Sequence, residues 1–164
     1  MIFVSVGTNE YQFNRLLLII DSLCEKGFLD GSNIIAQIGY SDYMPMHYKY
    51  FKFETRDNIL KLIQNCDFAI VHSGVGTIVQ LIKADKKVVV FPRSKKYKEH
   101  VDDHQLEIAN FLEEEKMVLE AHNEEEMIKC IKALTDFVPQ KNKISKNNIS
   151  SIIDKYINNI GRKK

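Results

Sequence analysis

The chain has 164 residues, 45% of them hydrophobic, which is enough to close one ordinary globular core without help from a partner. Its 23 basic side chains nearly balance 22 acidic ones, which argues against a general nucleic-acid binder with its marked basic excess. No apolar run approaches the roughly 20 residues of a membrane span. An apolar strand starting at Ile2 leaves no room for a signal peptide. Cys24, Cys66 and Cys130 are scattered, odd in number and form no Cys-x-x-Cys pair. They read as reduced, buried thiols of a cytoplasmic protein.

Ile2–Val6 is short, β-branched and apolar, as a buried parallel strand should be. It ends at Gly7-Thr8-Asn9, a first candidate ligand loop. Phe13, Leu16, Leu17, Ile20 and Leu23 recur at helical spacing, and that helix stops near Gly27 before an Asp30-Gly31 turn. A second strand is expected over Ile34–Ile38. An irregular stretch containing Pro45 follows, then a short third strand over Tyr50–Phe53. Thr55 or Asp57 can cap a helix with Ile59, Leu60 and Ile63 on its inner face.

Phe68–Val71 then stops abruptly at His72-Ser73-Gly74-Val75-Gly76-Thr77, and helical spacing resumes through Ile78, Leu81 and Ile82. A buried strand, a tight turn and a helix with an open first turn make a natural anion site, because the first amides of a helix lack acceptors and carry partial positive charge. Gly74 and Gly76 permit close approach to the backbone, and Thr77 adds a hydroxyl. Such turns also join strands to helices where nothing binds, so spacing alone leaves both readings open. Lys87–Phe91 is the next strand, closed by Pro92 and a basic loop with Arg93, Lys95, Lys96, Lys98 and His100. Asp102 or Asp103 starts a helix carrying Leu106, Ile108, Ala109, Phe111 and Leu112. A last strand over Met117–Leu119 and a helix capped by Asn123, with Met127, Ile128, Ile131 and Leu134, complete the pattern.

Regular alternation of strand and helix predicts an α/β fold: an open, mainly parallel, Rossmann-like sheet with helices on both faces. Its ligand crevice should lie beyond the carboxyl ends of the strands, where the loops at Gly7, Gly39, Phe53, His72 and Pro92 converge. Residues 136–147 read as a linker. Residues 148–164 read as an amphipathic helix, with Ile149, Ile152, Ile153, Tyr156, Ile157 and Ile160 in one stripe and a basic end. That helix either packs on its own domain, crosses to a partner subunit, or lays its basic end on a membrane surface.

Several motifs fail. The third glycine of a dinucleotide fingerprint is Val79, and no acidic residue ends the next strand. Ser73 is not a hydrolase elbow, since Val71 stands two residues before it, and there is no Gly-Lys-Ser/Thr phosphate loop. His100 and His104 are spaced as metal ligands, but no further ligand cluster supports them, and no metal is expected. His104 and Gln105 at a helix start suit sugar hydroxyls or simply a solvated helix end.

Taken together, Ser5-Val6-Gly7-Thr8, Phe13-Asn14-Arg15-Leu16, His72-Ser73-Gly74-Val75-Gly76-Thr77, Pro92-Arg93 and His100-Val101-Asp102-Asp103-His104-Gln105 resemble the C-terminal domain of glycosyltransferase family 28. The likeness covers residues 1–135. Its nearest group is the bacterial exopolysaccharide and capsule proteins that work as one of two subunits. The donor subunit of the dolichol-linked N-acetylglucosaminyltransferase is built similarly. The resemblance implies the C-terminal half of a GT-B enzyme that binds a UDP-sugar as substrate and needs no cofactor. By position, Gly7 and Thr8 would lie near the diphosphate, backbone at Phe53 and Glu54 would meet uracil, and His72 and Ser73 would belong to the donor site. Gly74, Gly76, Thr77 and Ile78 would cradle the phosphates, Arg93 would assist the leaving group, and Gln105 with His104 would hold the sugar.

Where the family usually has Glu, this chain has Gln80, whose neutral amide bonds ribose hydroxyls without the strengthening of a charged acceptor. No catalytic base is expected here. The resemblance implies that a membrane-associated partner subunit supplies it, together with the lipid-linked acceptor, holding this chain at the inner face of the membrane. The competing readings are a non-catalytic enhancer of a partner transferase and, more remotely, a UDP-sugar epimerase.

Overall fold

The apolar runs pair into one sheet because each is too short and too buried on both faces to stand alone. A computed structural model of the chain describes residues 1–140. The strands are β1 (Ile2–Ser5), β2 (Ile34–Gln37), β3 (Lys49–Phe51), β4 (Phe68–Val71), β5 (Lys87–Val90) and β6 (Leu119–Glu120). The helices are α1 (Asn14–Glu25), α2 (Arg56–Asn65), α3 (Val75–Lys83), α4 (His104–Glu114) and α5 (Glu124–Ala133). The six strands run parallel in the order β3-β2-β1-β4-β5-β6. Successive strands build outward from β1 on one side and from β4 on the other. The order therefore reverses between β1 and β4, and a crevice opens there at the carboxyl edge.

Alternate side chains divide the core into two layers. Val4, Ile70, Val89 and Phe91 pack against α1 and α5 through Leu16, Ile20 and Met127. Phe3, Ala69, Val71, Val88 and Val90 pack against α2, α3 and α4 through Ile63, Ile78 and Ile108.

Several boundaries differ from the sequence reading. β3 begins one residue early and ends at Phe51, where its register with Gln37 of β2 ends, so Phe53 lies in the loop beyond it. Thr55, not Asp57, caps α2 by accepting from the Asn58 amide at 3.3 Å. On that helix only Ile63 is fully buried, with Ile59 and Leu60 half-exposed. The last strand starts at Leu119 because Lys116, at φ 55°, turns the chain and the Met117 amide closes back on Leu112 O at 2.9 Å. Met117 and Val118 are buried without being strand.

The irregular stretch between β2 and β3 is held by Asp21 on α1. Its carboxylate accepts from Tyr43 Oη at 2.5 Å and from the amides of Met46 at 3.0 Å and His47 at 2.9 Å. Burial raises the Asp21 pKa, but these donors outweigh it and leave the carboxyl below its usual value. The three cysteines form no disulfide; Cys66 and Cys130 are buried and Cys24 half-buried. Past α5, the Gln140 amide donates to Lys116 O at 2.9 Å. Most of the expected linker (136–147) and all of the expected terminal helix (148–164) lie outside the described residues. No described helix is long and apolar enough to cross a membrane.

Candidate functional site

A cleft of about 290 Å³ opens at the switch point, lined by Gly7, Thr8, Gln37 and His72 from the strand ends and by Thr77 and Gln80 from α3. Glu54, Arg56 and Ile59 close its other wall from the start of α2. Of the residues singled out in the sequence, Gly7, Thr8, Glu54, His72, Thr77 and Gln80 therefore meet in one place.

The start of α3 is open. Gly74 caps it with no side-chain hydrogen bond, and the helix's first main-chain bond runs from Ile78 N to Gly74 O at 3.2 Å. The amides of Val75, Gly76 and Thr77 have no acceptor among the described residues. Ile78 departs from the expectation: its amide is used inside the helix and its side chain is fully buried. The two glycines also differ in purpose. A Cβ at Gly74 would come within 2.1 Å of His72 Nε2, whereas one at Gly76 would meet nothing within 4 Å. Packing alone thus requires the first glycine, and only a ligand would require the second.

His72 sits beneath both loops. A Cβ on Gly7, itself at φ 78°, would approach its ring to 2.5 Å. Its Nδ1 lies 3.3 Å from Ser5 O. A carbonyl can only accept, so Nδ1 carries the proton and Nε2 is left as the acceptor. Burial, helped by the positive charge of Arg93, pushes the His72 pKa down to about 4, so the ring is neutral at physiological pH. Next to it, Ser5 Oγ accepts from the Gly7 amide at 3.1 Å and donates to Gln37 Oε1 at 2.9 Å. This fixes the first loop at its base.

Arg93 does not serve the cleft in the way the sequence implied. It is completely buried, and its Nη1 and Nη2 donate to Val6 O at 2.7 Å, Tyr11 O at 2.8 Å, Gln12 O at 3.2 Å and Glu99 O at 2.9 Å. The guanidinium is a clamp between the loop after β1 and the loop after β5 through Nη1 and Nη2, and its buried Nε has no partner among the described residues. Arg15 reinforces it with a two-pronged bond to Glu99 at 3.0 and 2.8 Å. Ser73 is also fully buried, its hydroxyl without a partner. Gln105 is buried and accepts from the Arg93 amide at 3.3 Å, leaving its NH₂ group free of any bond to a described residue. His104, half-exposed at the start of α4, lies 3.3 Å from Glu107 Oε2. Neither lines the cleft, and Phe53 stands outside it with its ring against Tyr40 at 4.9 Å.

Sequence reasoning passed over Gln37, Arg56 and Ile59. Gln37 was visible as the one polar residue in an otherwise apolar strand, at its carboxyl end. Arg56 and Ile59 enter only because β3 pairs on the far side of β2 and the return to β4 brings the start of α2 alongside the cleft.

Residues 1–160 match the model of the glycosyltransferase family 28 C-terminal domain. The chain belongs to that family. It is 38% identical over 85 residues to the UDP-N-acetylglucosamine--N-acetylmuramyl-(pentapeptide) pyrophosphoryl-undecaprenol N-acetylglucosamine transferase of Prochlorococcus marinus (strain MIT 9312), covering 49% of this chain and 22% of that protein. It is 30% identical over 122 residues to the UDP-N-acetylglucosamine transferase subunit ALG13 of Homo sapiens, covering 70% of this chain and 10% of that protein. The matches thus span about a fifth and a tenth of those relatives.

The solution structure of ALG13 superposes with a TM-score of 0.57 at 19% identity, covering 84% of this chain and 87% of that one. The calicheamicin glycosyltransferase CalG4 does so with a TM-score of 0.58 at 12% identity, covering 98% of this chain and 43% of that one. These likenesses establish the fold: a Rossmann-like sheet of the kind that forms the C-terminal half of GT-B glycosyltransferases.

Proposed function

We propose that this chain is the donor-binding subunit of a two-component inverting glycosyltransferase, moving a sugar from a UDP-sugar to a lipid-linked acceptor in exopolysaccharide or capsule synthesis. The observation that carries the reading is the trio of open amides at Val75, Gly76 and Thr77, set beside a cleft at the switch point. Both curated relatives are named for UDP-N-acetylglucosamine, which makes it the first donor to test. The human relative is named as a subunit, which supports a second polypeptide.

Transfer needs a stabilised leaving group and a base on the acceptor hydroxyl. On this reading the α3 amides and the Thr77 hydroxyl hold the pyrophosphate, and charge that develops on departing UDP meets donors already fixed in place. Arg56 adds a cation in the cleft wall. Neutral His72 bears no charge into the site. The base and the acceptor come from the partner, so the chain by itself transfers little sugar.

Calorimetric titration with UDP and UDP-N-acetylglucosamine tests this. Saturable binding that weakens in Thr77→Val is expected. Absence of binding, with or without the partner polypeptide, would leave the enhancer reading in its place.

A further inference from the structure

The loop from Ser94 to Asp103 carries a second feature, independent of donor binding. Lys95, Lys96, Tyr97 and Lys98 are all exposed, with Tyr97 at 48% and nearby Val101 at 58%. Every acid in the loop is already engaged. Glu99 is buried against Arg15 and the Ser94 amide, Asp102 lies 3.0 Å from His100 Nδ1, and Asp103 accepts from Ser94 Oγ and the Lys95 amide at 3.2 and 2.8 Å. Glu99 is offset by Arg15, so with Asp102 and Asp103 still charged the loop keeps a small positive excess, and none of its three exposed lysine ammonium groups is in an ion pair among the described residues.

The loop is also rigid. Lys95–Tyr97 form a 3₁₀ turn, Lys98 turns the chain at φ 56°, and the Arg93 clamp holds its base. Because it leaves the carboxyl end of β5, it stands at the same edge of the sheet as the cleft.

We propose that this loop is a docking surface for an anionic lipid bilayer. Lysine is depleted at protein interfaces, and phosphate groups read one by one favour the two-pronged arginine fork. Lysines with long apolar stems, beside a half-exposed tyrosine and an exposed valine, suit the headgroup layer instead: the stems and ring enter it while the ammonium groups stay with the lipid phosphates. The Lys96 ammonium already lies 5.4 Å from the Tyr97 ring, so the two form one compact element. Docking here would turn the mouth of the cleft toward the membrane surface.

The test is co-sedimentation of the full chain with phosphatidylcholine vesicles, with and without about one third phosphatidylglycerol. The wild type should bind only the anionic vesicles, and high salt should release it. Lys95→Gln, Lys96→Gln and Lys98→Gln together should lower the partition coefficient about a hundredfold, since each lysine near the surface is worth close to a factor of five. The same three changes at Lys61, Lys83 and Lys132, exposed on α2, α3 and α5, should leave it within about twofold. Equal melting temperatures and equal UDP titrations of the loop variant and the wild type would keep folding and donor binding out of the comparison. Three results would overturn the proposal. One is a loop variant that binds as the wild type does, as it would if the lysines after residue 140 were responsible. Another is equal binding to uncharged vesicles. The third is no vesicle binding by the wild type, as expected if the loop meets an acidic protein.

Discussion

Gly76→Ala should move stability and ligand affinity in opposite directions. Gly76 is the second residue of α3, and a Cβ there meets no atom within 4 Å. Alanine therefore adds no clash to the free protein and removes the entropic penalty of glycine in a helix, a gain of about 0.5–1 kcal/mol. For a chain of this size that raises the melting temperature by about 2 °C. The Cβ of a helical residue tilts toward the N-terminus, so the new methyl projects over the open amides. Hydrogen bonds from these amides to a phosphate are charge-assisted and worth about 1.5–3 kcal/mol each. Displacing the phosphate from roughly one of them weakens UDP about thirtyfold.

Thermal melts and calorimetric titration of Gly76→Ala and Gly76→Val, whose bulk should weaken UDP further, measure both quantities. Unchanged UDP affinity in both variants would refute the placement of the pyrophosphate, and a lowered melting temperature for alanine would refute the open space. Gly74→Ala is the contrast. Its Cβ would lie 2.1 Å from His72 Nε2, so it should lower the melting temperature even without ligand.

Arg93→Met removes the donors to four main-chain carbonyls at once and should cost at least about 3 kcal/mol in urea unfolding; a loss under about 1 kcal/mol would show that the clamp is dispensable. His72 has a folded pKa of about 4, below its ordinary 6.5. Its contribution, about 3 kcal/mol, is complete above about pH 6.5 and lost as pH falls toward 4. His72→Gln should flatten that part of the melting-temperature profile. Glu120, pushed up to about 7 by burial and by Glu113 and Glu126, has the reverse sign. Its contribution is complete below about 4.5 and lost as pH rises through 7, so Glu120→Gln should gain on the wild type across that range. Arg56→Gln, at the cleft wall, should weaken UDP about fivefold and reduce the salt dependence of binding, read by titration at two ionic strengths.

The α/β class, the parallel sheet and the strand-to-helix junction at His72–Thr77 were all legible in the sequence. They depend on local rules: apolar runs of strand length, a three-and-four spacing, glycines where a turn must be tight. The cap at Asn123 was legible for the same reason, whereas the α2 cap was narrowed only to Thr55 or Asp57.

Tertiary structure decided the purposes of individual side chains. Arg93 looks like a phosphate ligand in sequence because it is a cation following a strand. Only the approach of the loop after β1 shows its guanidinium surrounded by carbonyls. Gly74 and Gly76 are indistinguishable by spacing, yet the His72 ring lies against one and open space against the other. Arg56 joins the cleft because β3 pairs beyond β2 and brings α2 alongside it. A chain's local preferences act over a few residues, whereas the partner of a buried charge or the neighbour of a glycine is set by segments tens of residues away.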